Sequence, residues 1–301
     1  MGKLTTPNPR FTYQPKHVDE IVVREFNFDF PDDLDPKWAK DSVVRSHMFN
    51  GFSLTMPYLE PFIIKSSQKV LADIDDEQLR DDVRKFCGQE AKHYQCHRRV
   101  NELLKKNGYP ELAEIEEQMK ASYKKLEQRS LETQLAYNAG FETMTEGFTH
   151  WFINKRKRLF GGNCPWMSSF WVMHMVEEME HKTVAFDLYM AYSGRYLPRA
   201  IGVLHGSLHV LGFGLLAMRQ SLRKDGLWGR PGCLLEVARE LGSLAWNVGP
   251  SLLRAMLPGH NPRRDPDHPW QQAYVASHKN VDAGAPLPLL DTQHPEIPIP
   301  Y

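Results

Sequence analysis

The stretch Trp171-Val172-Met173-His174-Met175-Val176-Glu177-Glu178-Met179-Glu180-His181-Lys182-Thr183-Val184-Ala185-Phe186-Asp187 decides how the 301-residue chain is read. On an α-helix, at roughly 100° per residue, His174, Glu178 and His181 fall within about 60° of one another. Two imidazoles and a carboxylate on one stripe make poor core and a good metal half-site. Ferritin-like di-metal bundles are built from a Glu-x-x-His unit on each of two helices. A second unit stands at Glu90-Ala91-Lys92-His93, with His97 a further turn along the same face.

Two more carboxylates sit in apolar surroundings. Glu60 is flanked by Tyr58, Leu59, Pro61, Phe62 and Ile63, and burying such a group costs several kcal/mol unless a cation or a proton compensates. Glu142 and Glu146 lie one turn apart on a long apolar helix near Ala136, Ala139, Gly140, Phe141, Met144 and Phe148, where small residues would admit a partner helix closely. In chain order this gives Glu60, Glu90-x-x-His93, Glu142 and Glu178-x-x-His181, each on its own helix. The expected ligands of a di-metal centre are therefore Glu60, Glu90, His93, Glu142, His174, Glu178 and His181. His97 is expected to support a ligand by hydrogen bonding rather than to ligate. Glu146 and Glu177 are alternates if the helix register shifts, and Asp187 is a candidate orienting carboxylate. Surface ion pairing with Lys92, Arg98, Arg99 and Lys182 is the plainer account of these residues, but the apolar setting of Glu60 and Glu142 argues against it.

Composition is that of a soluble globular protein, with 42% hydrophobic and 25% charged residues. Lys plus Arg and Asp plus Glu balance at 37 each, so charge gives no reason to expect a nucleic-acid partner. The cysteines Cys87, Cys96, Cys164 and Cys233 show no paired spacing and read as reduced thiols. The first residues lack a signal peptide's apolar core. Together these features place the chain in the cytoplasm, with association to the inner face of the membrane left open.

The pattern predicts an all-α protein in four parts. Residues 1–34 form an irregular Pro-rich arm, with Ile21 to Phe30 a short strand or an extended segment. Residues 35–195 form the metal-binding bundle. Its helices are expected from Asp35-Pro36 to Phe49, from Pro57 after a break at Gly51 to Thr55, and from Glu77 to Asn107. Others follow at about 111–129, 131–159 and 165–193. Residues 196–257 form an apolar helical hairpin, and residues 258–301 a Pro-rich loop tail. No Asp, Glu, Lys or Arg occurs from Ala200 to Met218. At about 1.5 Å per residue that run approaches a bilayer's hydrocarbon thickness of roughly 30 Å. Three readings stand for it: a helix buried in the bundle or a homodimer interface, a monotopic element, or a span weakened by its glycines and histidines.

The segments Gly88-Gln89-Glu90-Ala91-Lys92-His93 and His174 to Asp187 resemble the bacterial family named "predicted metal-dependent hydrolase", a ferritin-like family. The likeness runs from about Glu60 to Trp270. This chain keeps Glu60 and Glu142 where the family has them. It has Thr143 where the family places a histidine after the second glutamate. The spacing His174-x-x-x-Glu178-x-x-His181 is similar to the three-histidine di-iron site of p-aminobenzoate N-oxygenase. That likeness implies His174, Glu178 and His181 as ligands and oxygen activation by two ferrous ions. The leading expectation is thus an O2-dependent di-iron oxygenase or oxidase acting on a small or hydrophobic, lipid-like substrate. Mn or Zn would be alternative metals. No flavin, nicotinamide or haem motif is present, so a ferredoxin or reductase would supply electrons. The first alternative is a di-metal hydrolase of an ester or phosphoester, and the second a non-catalytic metal-binding or membrane-associated bundle.

Overall fold

A computed structural model describes residues 8, 11–13, 21–27, 29–278, 282 and 284–296. Much of the N-terminal arm and the last residues of the tail lie outside the described residues. The fold is all-α: α1 Val43–Gln68, α2 Glu77–Lys106, α3 Leu112–Leu126, α4 Leu131–Phe160, α5 Pro165–His181, α6 Val184–Tyr192, α7 Tyr196–Lys224, α8 Pro231–Ala255 and α9 Pro269–Ser277. Side-chain oxygens cap the orphan amides at three entrances: Ser42 to Arg45, Asp76 to Leu79 and Ser130 to Thr133. Helix α4 is the central element. Its residues are buried almost all round from Gln134 to Ile153, as expected of a helix without a polar face.

The first helix differs from its sequence reading. Asp35 does not open a helix: its Oδ1 accepts from the Lys37 amide at 2.8 Å in a turn, and the helix starts at Val43. There is no break at Gly51 to Thr55 and no restart at Pro57. Both Pro57 and Pro61 lie inside one continuous helix. Proline at 57 leaves the Ser53 carbonyl without its helical donor, and Asn101 Nδ2 on α2 supplies one at 3.0 Å. Glycine at 51 serves contact rather than breakage. A Cβ there would stand 2.2 Å from the Gly214 carbonyl oxygen of α7.

The same close approach is repeated along α7, which lies against α1 and α4. A Cβ on Gly202 would meet the Ala136 carbonyl oxygen at 2.0 Å, and one on Gly140 would meet that of Gly202 at 2.2 Å. Helices α7 and α8 run antiparallel, joined at their open end by Tyr196 Oη donating to the Met256 carbonyl at 2.9 Å.

Two further differences concern connections, and a third segment follows one of its two expected readings. The expected helix 165–193 is two, α5 and α6, parted at Lys182-Thr183, where the Lys182 ammonium donates to the Asp265 carbonyl and to Asp267 Oδ1. The tail is not all loop: α9 starts with Pro269 at its first turn, and His268 Nδ1 accepts from the Trp270 amide at 3.0 Å. The segment from Ile21 is an extended arm. It buries Ile21, Arg24, Phe26 and Phe30 and pairs its backbone with the tail, Asn27 donating to the Ala285 carbonyl at 2.7 Å. The four cysteines are free thiols.

Candidate metal centre

Four helices each deliver a glutamate to one buried point. Helix α1 brings Glu60, α2 brings Glu90 with His93, α4 brings Glu142, and the C-terminal half of α5 brings His174, Glu178 and His181. None of the seven is more than 2% exposed. Ligand-type atoms of Glu90, Glu142, Glu178 and His181 lie within 4.8 Å of one another. So do those of Glu60, Glu90 and His93, and those of His93, His174 and Glu178. Glu90 and Glu178 therefore face both halves. Glu142 and His181 belong to one half, and Glu60, His93 and His174 to the other.

Glu178 is the hub. Its Oε1 lies 2.8 Å from His174 Nε2 and 3.4 Å from His93 Nδ1, and its Oε2 lies 3.5 Å from His181 Nδ1. His181 Nδ1 is also 2.9 Å from Glu90 Oε1, outside hydrogen-bond geometry. Both oxygens of Glu60 and of Glu90, one of Glu142, one of Glu178, and Nδ1 of His93 and His181 have no hydrogen-bond partner among the described residues. Buried polar atoms in such numbers are rare unless something shared satisfies them. Hard carboxylate oxygens and borderline imidazole nitrogens, all facing inward, fit a pair of divalent cations.

Electrostatics agree with the geometry. Burial first, and then the Glu90 charge, push the Glu60 carboxyl well above the ordinary carboxylate range. Burial and then Glu178 do the same to Glu142. Burial works the other way on the imidazole of His181, but Glu178 and Glu90 outweigh it and lift that group to about 9. Glu178 is held well below the carboxylate range because His181 and hydrogen bonding by His174 overcome the opposing cost of burial. These are acids and bases that each require a proton or a cation from a neighbour.

A surrounding layer orients the imidazoles. His93 Nε2 donates to Glu177 Oε2 at 2.8 Å, and His181 Nε2 donates to Gln89 Oε1 at 2.6 Å. Each contact leaves Nδ1 turned toward the carboxylates. His174 Nδ1 lies 2.7 Å from His97 Nε2, and His97 Nδ1 lies 2.8 Å from Ser53 Oγ, which donates to Asn101 Oδ1 at 2.8 Å. Both nitrogens of His97 are thus engaged, and its contact leaves Nε2 of His174 inward. Glu177 and Glu180 are bridged by Arg24, which comes from the N-terminal arm at 3.0 Å and 2.8 Å. Glu180 also accepts from Gln89 Nε2 at 2.7 Å. Sequence reasoning missed Arg24, Gln89, Glu180, Ser53 and Asn101. Only Gln89 and Glu180 had a local signal, as neighbours of Glu90 and His181.

Two expected accessories lie elsewhere. Asp187 is bound by the Arg263 guanidinium, 2.8 Å from Nη1, outside the ligand groups. Glu146, one turn past Glu142, is buried but also outside them. Burial and then Asp265 raise its carboxyl from 4.5 to about 7, with Lys182 opposing. A carboxyl raised on folding contributes stability that is fully present below its unfolded value and is lost as pH rises through the folded one. Glu146→Gln should accordingly change little near pH 5. At pH 8 it should stabilise the protein, by up to about 3 kcal/mol. Thermal melts of both proteins at the two pH values check this, and a difference independent of pH would refute it.

No curated protein and no solved structure matches the chain. A family model described as predicted metal-dependent hydrolase matches residues 22–272, a span that takes in Arg24, the seven converging residues and both helices of the hairpin. On that coverage the chain belongs to the predicted metal-dependent hydrolase family.

Proposed function

We propose that the seven residues bind two divalent cations and that the protein is a two-metal hydrolase of an ester or phosphoester. The observation that carries this reading is the position of Glu90 and Glu178, each within ligand distance of the atoms of both halves. The family description names the same reaction class. A bound cation pair supplies Lewis acidity and a hydroxide at neutral pH. Glu90 and Glu178 would bridge. Glu60, His93 and His174 would complete one side, and Glu142 and His181 the other. Glu177, Gln89 and His97 hold the three imidazoles in the orientation that leaves one nitrogen of each turned inward. The apolar bundle excludes bulk water and strengthens every charge interaction inside it.

A second reading keeps the ligands and changes the chemistry to O2-dependent oxidation or oxygenation by two Fe ions with an external electron donor. The observation favouring it is burial. Seven ligands that are at most 2% exposed suit a small apolar co-substrate, and three imidazoles among four carboxylates suit iron. Metal analysis of anaerobically purified protein, followed by two assays, separates the readings. The hydrolase reading expects ester or phosphoester turnover that is independent of O2 and lost on chelation. Oxygen uptake by the reduced, iron-loaded protein without such turnover would support the second reading and defeat the first. Fewer than one metal per chain after reconstitution would defeat both.

A further inference from the structure

We propose that the outer face of the α7–α8 hairpin docks on an anionic phospholipid bilayer, lying in the interface rather than crossing it. Among the described residues, the exposed large hydrophobic side chains all fall between Tyr196 and Leu257. On α7, Leu197, Ile201, Leu204, Leu208 and Leu216 recur at helical spacing on one stripe, and Arg219 and Arg223 continue it. On α8, Leu235, Arg239, Gly242, Trp246 and Leu253 do the same, and Trp246 is 83% exposed. Because the helices are antiparallel, Leu197, Ile201, Leu204, Leu208 and Leu253 gather toward the open end, whereas Arg219, Arg223, Arg230 and Arg239 gather toward the α7–α8 turn, together with Leu216 and Leu235.

Charge selects the occupant. Those four arginines have no ion-pair partner among the described residues, and all are exposed. The hairpin's acids are already engaged: Asp225 with His47, Tyr109 and Lys37, Glu236 with Ser42, and Glu240 with Arg45 and Arg158. A second copy on this face would set arginines against arginines or against leucines, with no carboxylate to receive them. Lipid phosphates meet the arginines and acyl chains meet the leucines. By length and composition α7 is a helix able to cross a membrane, with 44% of its most apolar window buried. The glycine contacts of Gly202 and Gly214 fix its other side to α4 and α1, so it presents one face only.

The test is co-sedimentation of the full chain with vesicles of phosphatidylcholine alone, or mixed with phosphatidylglycerol, at low and high salt. Binding to the anionic vesicles is expected, weakened by salt. It should fall up to roughly a thousandfold in the quadruple variant R219Q/R223Q/R230Q/R239Q and be lost in L208E/W246E. Both variants change exposed positions, and circular dichroism would verify that they fold. Three results would overturn the proposal: no binding to anionic vesicles, binding unchanged in L208E/W246E, or a dimer that this variant dissociates with no vesicle binding by the parent protein.

Discussion

Glu178→Gln is expected to reduce bound metal from two ions per chain to one at most while leaving the bundle folded. Glutamine fills the same volume and can still hydrogen-bond His174, but it cannot carry the charge shared by the two halves. Turnover should drop on the order of a thousandfold or more, since the several kcal/mol of transition-state stabilisation from a cation pair requires both ions. Glu142→Gln is the informative comparison. Its carboxylate belongs to one half only, so one ion should remain bound with near-parental affinity. Titration of each metal-free variant with the divalent ion, read by calorimetry, separates the two cases. Equal loss in both variants would argue that no residue bridges. Two ions retained by Glu178→Gln would defeat the two-metal reading outright.

Removing the side chain altogether, as in Glu178→Ala, adds a stability effect. Three imidazole nitrogens within 3.5 Å would lose the one carboxylate they share, at a position only 1% exposed. Breaking a buried ion pair from one side typically costs about 3–5 kcal/mol. The alanine variant should therefore melt well below the glutamine variant, although both lose the same carboxylate.

The site was legible where its logic is local. A Glu-x-x-His unit places both side chains on one helix face, so Glu90 with His93 and Glu178 with His181 could be read from spacing alone. Glu60 and Glu142 were readable because a carboxylate among phenylalanines and isoleucines needs a reason to be there. What escaped depends on distant parts of the chain. Gly51 read as a helix break because its role, admitting the Gly214 backbone, is set by a residue far along the sequence. Pro57 read as a helix start because the carbonyl it orphans is satisfied from α2 by Asn101. The capping of α9 by His268 was hidden because histidine is not among the usual cap residues. The apolar hairpin was visible as composition, but only the fold divides it into a glycine-lined inner side and an open outer one.

Arg24 shows how much can rest on a residue without a motif. It reaches from the extended arm to Glu177 and Glu180 and also donates from Nε to the His278 carbonyl at 3.2 Å. Behind those carboxylates stand His93 and, through Gln89, His181. Arg24→Met should destabilise the fold by about 3–5 kcal/mol, the usual result of leaving buried carboxylates without their cation. Metal affinity should fall roughly 10–100-fold as both imidazoles lose their fixed orientation. Arg24→Lys should recover little of either, because an ammonium cannot reproduce a planar fork that meets two carboxylates and a carbonyl at once. The pH dependence distinguishes this from simple loss of packing. Glu177 lies below the ordinary carboxylate range because His93 and Arg24 overcome the cost of burial. Its contribution is therefore present at neutral pH and lost as pH falls through that depressed value. Without Arg24 the same carboxylate takes up a proton more readily, so the stability gap between variant and parent should narrow steadily from pH 7 toward pH 4. Urea unfolding across that range measures it. A gap that stays constant, or one under about 1 kcal/mol at pH 7, would show that the arm only covers the candidate metal centre and does not hold it.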